Sequence, residues 1–435
     1  MVLFSQEKLL ILCAVILGFV QSCAHKSKNA LGTVQLQPSL PYEPVELVET
    51  PLQFCKKWEK NLAANLSYIQ VSKDGSKYLV SSSANRGRPK GIEARIQLIS
   101  RTGAPLWAQW MRQPIRGQSL SQKGDLVSAS NYEDKVFLYN SRGGKIWEKP
   151  HLGMPLVLEA SKNIVIFNDD DSDPEIAFTT YDYAGKQVAQ AKVAKGREPV
   201  DLAYFTNEAD GKTYLAIALS GRNQDDDKWM VMAQNQELYS KGTLKGEPVS
   251  VALYEATKLF ILYSDPIDPS EQRLAAIALP SGKKIWDVEL DRHFEVLKVV
   301  KGEKEANSFL LLYGNSTRGQ AISAFELENG DLIWKHSYNS ASTYSSPVQV
   351  FEDNAALRSF AAILVDKTNA ENAPPAGTLF LIGINREGKT SFEIPINAPD
   401  GIYSYSMNIA QKPEVLFGVG EPGNSSIVQF EQCSK

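Results

Sequence analysis

The stretch "SGKKIWDVEL" (residues 281–290) has a near-copy forty-eight residues later, "NGDLIWKHSY" (329–338). Two further copies lie upstream, "RTGAPLWAQW" (101–110) and "RGGKIWEKPH" (142–151). Each writes a glycine, a short gap and a tryptophan. Aligning the whole chain on that tryptophan gives the slots Trp58, Trp107, Trp147, Val188, Tyr239, Trp286, Trp334 and Phe392. The steps between them are 49, 40, 41, 51, 47, 48 and 58 residues. A period in this range marks the blades of a propeller or the units of a solenoid.

The segments between slots read as strands. In residues 247–290, "VSVALY" alternates, "KLFILYS" is a denser apolar run, and "RLAAIAL" and "KIWDVEL" follow, with turn residues between them. Four short antiparallel strands per repeat, here called A to D, make a propeller blade. No helical period of convincing length follows residue 53. The chain is therefore expected to be all-β.

Counting strands predicts how the ring closes. Complete A-B-C sets begin near residues 67, 117, 154, 199, 247, 295, 346 and 402. A D strand, "WEKNL" (58–62), precedes the first set, whereas the last set ends in "SIVQFEQ" (426–432) with no D strand after it. The numbers match only if the N-terminal D strand completes the last blade. The expectation is an eight-bladed propeller of four-stranded antiparallel blades, one chain closing one ring. The glycine of each repeat serves the C–D hairpin, where positive φ is needed. The tryptophans Trp58, Trp107, Trp147, Trp286 and Trp334 are then repeat core, packed between adjacent blades, because such packing needs large aromatic area.

The same register brings two distant cysteines together. Cys55 lies three residues before Trp58, as Gly144 does before Trp147, and Cys433 follows Phe430 as Arg142 follows Tyr139. In a continuous blade these are neighbouring hairpin positions. A Cys55–Cys433 disulfide would replace the connection that the chain ends leave out, in an oxidising compartment. Two separate thiols would instead refute the register.

At the N-terminus, "LLILCAVILGFVQSC" (9–23) follows Lys8 and is too short to span a bilayer comfortably, so it reads as a secretory signal segment. Its end, "VQSC" (20–23), resembles the lipobox of bacterial lipoproteins. That resemblance implies cleavage before Cys23 and lipidation of its thiol and new amino group with acyl chains such as palmitate, a stable membrane anchor. An ordinary signal peptide with a chance cysteine is the alternative. Residue 24 is Ala rather than the Asp of inner-membrane retention, which leans towards the outer membrane. Residues 23–53 show no sustained period and carry several prolines, and read as a flexible tether. The domain organisation expected is thus 1–22 signal peptide, 23–53 lipidated tether and 54–435 propeller.

Composition excludes some classes. A formal charge of −4 and a pI of about 5.8 lack the basic footprint of a nucleic-acid binder. His25, His151, His293 and His336 are scattered, without the spacing of a metal site. The "GK-x-x-W" units at 144–147 and 283–286, with the eight-blade count, resemble the PQQ-like propeller repeat. Quinoprotein alcohol dehydrogenases and the BamB lipoproteins of the outer-membrane β-barrel assembly machine share that repeat. The resemblance covers residues 54–435, and the lipobox, tether and body size match the BamB arrangement better than the enzyme's.

The resemblance to the enzymes would imply PQQ, Ca²⁺ and an adjacent cysteine pair. The four cysteines, Cys13, Cys23, Cys55 and Cys433, include no adjacent pair. No catalytic set, cofactor site or metal site stands out, and fold likeness alone does not carry activity. A non-catalytic scaffold for protein partners at the outer membrane, facing the periplasm, is the expectation. A PQQ-dependent oxidoreductase and a surface glycan- or ligand-binding module are the alternatives. The B–C loops supply a candidate docking face. Blade 1 carries Arg86 and Arg88, while blades 3 and 4 carry Asp169, Asp170 and Asp171 and then Asp225, Asp226 and Asp227. Such a polarised face would steer a charged partner.

Overall fold

The structure is a computed structural model of the full chain. It describes residues 47–433 apart from 86–91, 168–175, 193–196, 208–210, 222–227, 234–237, 303–306, 339–347, 354–357, 367–377, 398–401, 409–413 and a few single positions or pairs. The described chain is all strand and turn, arranged as eight sheets, each built on four antiparallel strands. Blade 1 comprises Asn65–Val71, Lys77–Asn85, Ile92–Ser100 and Pro105–Met111 as strands A to D. The A strands of blades 2 to 7 begin at Ile115, Met154, Arg197, Glu247, Val296 and Val348. Every start falls within two residues of the position expected from the sequence.

Blade 8 takes its A, B and C strands from Ile402–Asn408, Glu414–Glu421 and Asn424–Gln432, and its D strand from Phe54–Asn61. The register runs from Phe54 opposite Gln432 to Asn61 opposite Ser426. Backbone bonds continue past both ends of this pairing: Cys433 N donates to Gln53 O (2.8 Å), and Leu62 N to Ser425 O (2.8 Å). Cys55 and Cys433 are disulfide-bonded, with Cα atoms 5.2 Å apart.

Burial follows position in the blade. Inner strands are covered on both faces by neighbouring blades: in Lys258–Ser264, the five residues from Leu259 to Tyr263 are all buried. That explains the dense apolar run of "KLFILYS". Cores therefore sit at the seams, as where Phe260, Leu262 and Leu274 of blade 5 meet Leu310, Leu312 and Phe325 of blade 6.

The D strands hold the repeated tryptophan, and each carries a β-bulge one residue before it. In blade 2, Lys145 pairs with Tyr139 and Trp147 with Leu138, so Ile146 is the extra residue. The bulge turns the indole towards the next blade. There it lies on the hairpin glycine: a β-carbon on Gly143, whose φ is +79°, would stand 2.8 Å from the Trp107 ring. Trp58 meets Gly103, Trp147 meets Gly185, Trp286 meets Gly330 and Trp334 meets Gly388 in the same way. Three of these indoles also donate across the seam: Trp58 to Arg101 O, Trp286 to Leu327 O and Trp334 to Arg386 O, at 2.8–3.2 Å. Trp107, Trp147 and Trp334 are buried, while Trp58 and Trp286 are half-buried.

Three expectations need correction. In blade 3, Tyr181 pairs with Gln187 and Thr180 with Ala189, so Val188 is the exposed bulge residue and Ala189 fills the slot. In blade 4, Met232 pairs with Leu238 and Val231 with Ser240, so Tyr239 is the bulge residue and buried Ser240 fills the slot. The third concerns the tether. Leu47–Leu52 is a strand, pairing parallel with Thr390–Asn397 as a fifth strand on blade 7. Leu52, at its end, packs against the core shared by blades 7 and 8. Residues 47–52 therefore belong to the sheet of blade 7. The proposed signal peptide and Cys23 lie outside the described residues.

Replacing Cys55 and Cys433 with Ser removes a cross-link spanning 378 residues of chain. The chain-entropy model sets an upper loss on the order of 5 kcal/mol. Urea unfolding of the double variant is expected to show a lower midpoint with the propeller still formed; an unchanged midpoint would show that strand pairing alone closes the ring.

Candidate functional site

Three features of the ring offer surfaces for chemistry or contact. The first is the wall of the central channel. The A strands of blades 1 to 4 place Tyr68, Arg116, Met154, Val200 and Tyr204 around a cavity of about 490 Å³. Arg116 and Val200 are bulge residues of their strands. A bulge re-aims the side chain it carries. Tyr68, Met154, Val200 and Tyr204 are all large apolar groups left exposed. The Tyr68 hydroxyl donates to Arg116 O at 3.2 Å, and the Arg116 guanidinium lies 5.8 Å from the Tyr132 ring.

At one mouth of the channel the A–B turns add charge around a cavity of about 1070 Å³, with Lys73, Lys123, Glu159, Glu255 and Lys301 in its lining. Glu159 accepts from Gln122 N (2.8 Å), and Glu255 pairs with Lys301 (3.3 Å). Among the described residues, no three His, Cys, Asp or Glu side chains are grouped so as to hold a metal ion.

The second feature is the seam between blades 4 and 5, where the repeat departs from its rule. Ser240 replaces the slot tryptophan and donates to Pro280 O at 2.9 Å. An indole is still present, supplied by the neighbouring C strand. Trp229, 1% exposed, lies over Gly242 and reaches Gly282 of blade 5. Outside it opens a cavity of about 970 Å³ bordered by Leu244, Ile267, Arg273 and Asp287. Burial pushes the Asp287 carboxyl up, but hydrogen bonds from Lys284, Tyr263 and Arg273 outweigh it and hold the group below its ordinary value.

The third is the closing seam between blades 8 and 1, which carries a buried polar cluster. Tyr78 of blade 1 donates to Glu414 Oε2 of blade 8 (3.0 Å), and Gln429 Nε2 bonds both (2.7 and 3.0 Å). Arg101, in the C–D hairpin of blade 1, spans Glu414 (3.2 Å) and Glu431 (2.7 Å). Glu414 is 1% exposed. Burial raises its carboxyl above the ordinary value, and the Arg101 charge and the hydrogen bonds from Tyr78 and Gln429 only partly oppose this. Burial, with Glu414 beside it, likewise drives the Tyr78 phenol up.

Of the residues expected from the sequence, the structure joins Cys55 to Cys433 and places the five tryptophans at seams. Arg86, Arg88, Asp169, Asp170, Asp171, Asp225, Asp226 and Asp227 lie outside the described residues. Sequence reading missed Ala189, Ser240, Trp229 and the Tyr78–Glu414–Gln429–Arg101 cluster. A signal for the first existed: the four-residue step from glycine to slot, as in Gly143 to Trp147, leads from Gly185 to Ala189. Blade 4 has no glycine four residues before Ser240 to anchor that count.

No protein-family model matches the chain, and no curated protein sequence matches it. Solved structures do. The chain resembles the crystal structure of BamB from Moraxella catarrhalis, with 12% identity and a TM-score of 0.53, over 88% of this chain and 99% of that one. It also resembles the Dos1 propeller, with 8% identity and a TM-score of 0.55, over 89% and 95% of the two chains. At these identities the likeness establishes the fold. The chain is an eight-bladed β-propeller.

The closing cluster gives a pH test. Because the folded Glu414 carboxyl titrates above its unfolded value of 4.5, the folded chain holds the extra proton in that window. The stability this confers is complete below pH 4.5 and is lost as pH rises through the folded value. Glu414→Gln abolishes the titration and leaves Arg101 its Glu431 partner. Thermal midpoints from pH 4 to 8 should therefore show the variant gaining on the wild type as pH rises; parallel profiles would show that Glu414 is not proton-linked to folding.

Proposed function

We propose that the chain is a lipid-anchored propeller serving as a non-catalytic scaffold for protein partners at the bacterial outer membrane, facing the periplasm, in the assembly of outer-membrane proteins. The observation that carries this reading is the Cys55–Cys433 disulfide. A disulfide that joins the two ends of a folded ring belongs to an oxidising compartment. A lipobox-like "VQSC" ahead of that ring supplies a route to the compartment and an anchor in it. The likeness in shape to BamB agrees with a scaffold role. Physically, a propeller suits such work because its ring is rigid while turns of varied sequence cover its faces.

Two measurements test the proposal. Cys23→Ser should abolish palmitate labelling and release the chain from the membrane fraction. Crosslinking in cells followed by mass spectrometry should recover components of the barrel-assembly machinery with the wild-type chain. Recovery of an electron-accepting cytochrome, or a stoichiometric PQQ complex with dye-reducing activity, would replace the scaffold reading with an oxidoreductase.

A further inference from the structure

We infer that the outer edge of blade 1, the strand Pro105–Met111, docks an extended segment of a partner protein, which adds to the blade as a fifth strand. The inference rests on the scaffold reading for its setting and goes beyond it in naming the surface and the form of the partner. D strands are the outermost strands of their sheets, and outer edges template pairing with other chains unless they are guarded, most often by lysine. Here the guards are placed unevenly. Blade 8 has Lys56, Lys57 and Lys60 in its D strand, blade 2 has Lys145 and Lys149, blade 5 has Lys283 and Lys284, and blades 3, 4 and 6 have Lys192, Lys241 and Lys335.

Two D strands lack a lysine. One is Thr390–Asn397 of blade 7, and its edge is covered by the chain's own strand Leu47–Leu52. The other is Pro105–Met111, "PLWAQWM", the only D strand with no charged residue. No strand lies along its outer side among the described residues. It also presents apolar surface, with Leu106 48% and Trp110 56% exposed. The molecule thus shows what such an edge accepts: an extended segment, "LVETPL", paired along the D strand.

Charge narrows the occupant further. The Arg95 guanidinium lies 5.5 Å from the Trp110 ring. Lys60 of blade 8 is also near, its ammonium pushed down by burial and then by repulsion from Arg95. A segment alternating aliphatic residues with neutral or acidic ones fits this surface, whereas a basic one is repelled. Backbone pairing gives such an interaction its affinity and the side chains on one face give it selectivity.

The probe is a capped, fluorescein-labelled peptide of alternating Val and Thr with one central Glu, titrated into the full-length chain. Anisotropy should show saturable binding, and hydrogen exchange should slow in 105–111 when the peptide is bound. Trp110→Lys should weaken binding about tenfold or more with the thermal midpoint unchanged, since a central aromatic anchor carries much of a small interface. Ile285→Lys, at an exposed rim position of blade 5, should leave binding as it was. Absence of saturable binding, protection on another blade, or equal binding by the Trp110→Lys chain would overturn the inference. So would self-association that slows exchange in 105–111 and excludes the peptide, because the occupant would then be a second copy. Peptide binding is read on purified chain, so its failure is distinct from a failure to find membrane partners in cells.

Discussion

Between Trp107 and Gly143, a flat indole meets a turn that has no side chain, and this contact recurs at five of the eight seams. Blades of a propeller touch only their neighbours, so the ring holds together only as well as each seam does. An indole brings a large apolar area and one polar N–H, and at three seams the next blade's hairpin supplies a carbonyl to receive it. Glycine in the turn meets two demands at once. Its φ of +79° at Gly143 suits the hairpin, and its missing β-carbon admits the ring. The bulge before each slot completes the device by aiming the side chain out of its own sheet.

Two of the three remaining seams satisfy the same constraint by other means. Between blades 4 and 5 the indole comes from Trp229, one strand inward, and Gly242 clears its path. Between blades 7 and 8, Phe392 fills the slot and its ring lies 5.2 Å from that of Phe54. Closing the ring raises a different problem, because its last blade is assembled from both ends of the chain. Strand pairing, the disulfide and the buried cluster around Glu414 all converge on that blade and on its seam with blade 1. Within the cluster the Tyr78 hydroxyl, Gln429 Nε2 and Glu414 Oε2 are mutually bonded, and any other pairing of the blades would strand these groups away from water.

These rigid seams leave the edges and turns as the variable parts. Channel wall, channel mouth and outer rim are each built from the strand ends and edges that the seam packing does not consume. A scaffold can therefore present several surfaces without loosening its core. Lysines on most outer strands limit which of those surfaces meet other chains.

The period of Gly-x-x-x-Trp, the count of strands and the offset of the first D strand were enough to determine from the amino-acid order the blade number, the ring closure and the Cys55–Cys433 pairing. Those features were legible because each repeats, or completes a repeat, at fixed spacing along the chain. In sequence, Val188 and Tyr239 read as the slot residues because a one-residue shift at a bulge moves a side chain to the other face of the strand; the step from Gly185 marks Ala189, whereas in blade 4 only the pairing partners reveal that Tyr239 is extra. The strand Leu47–Leu52 and the cluster of Tyr78, Arg101, Glu414 and Gln429 carry no local pattern at all. They form from residues as far as 351 positions apart, and only the closed ring brings such groups into contact.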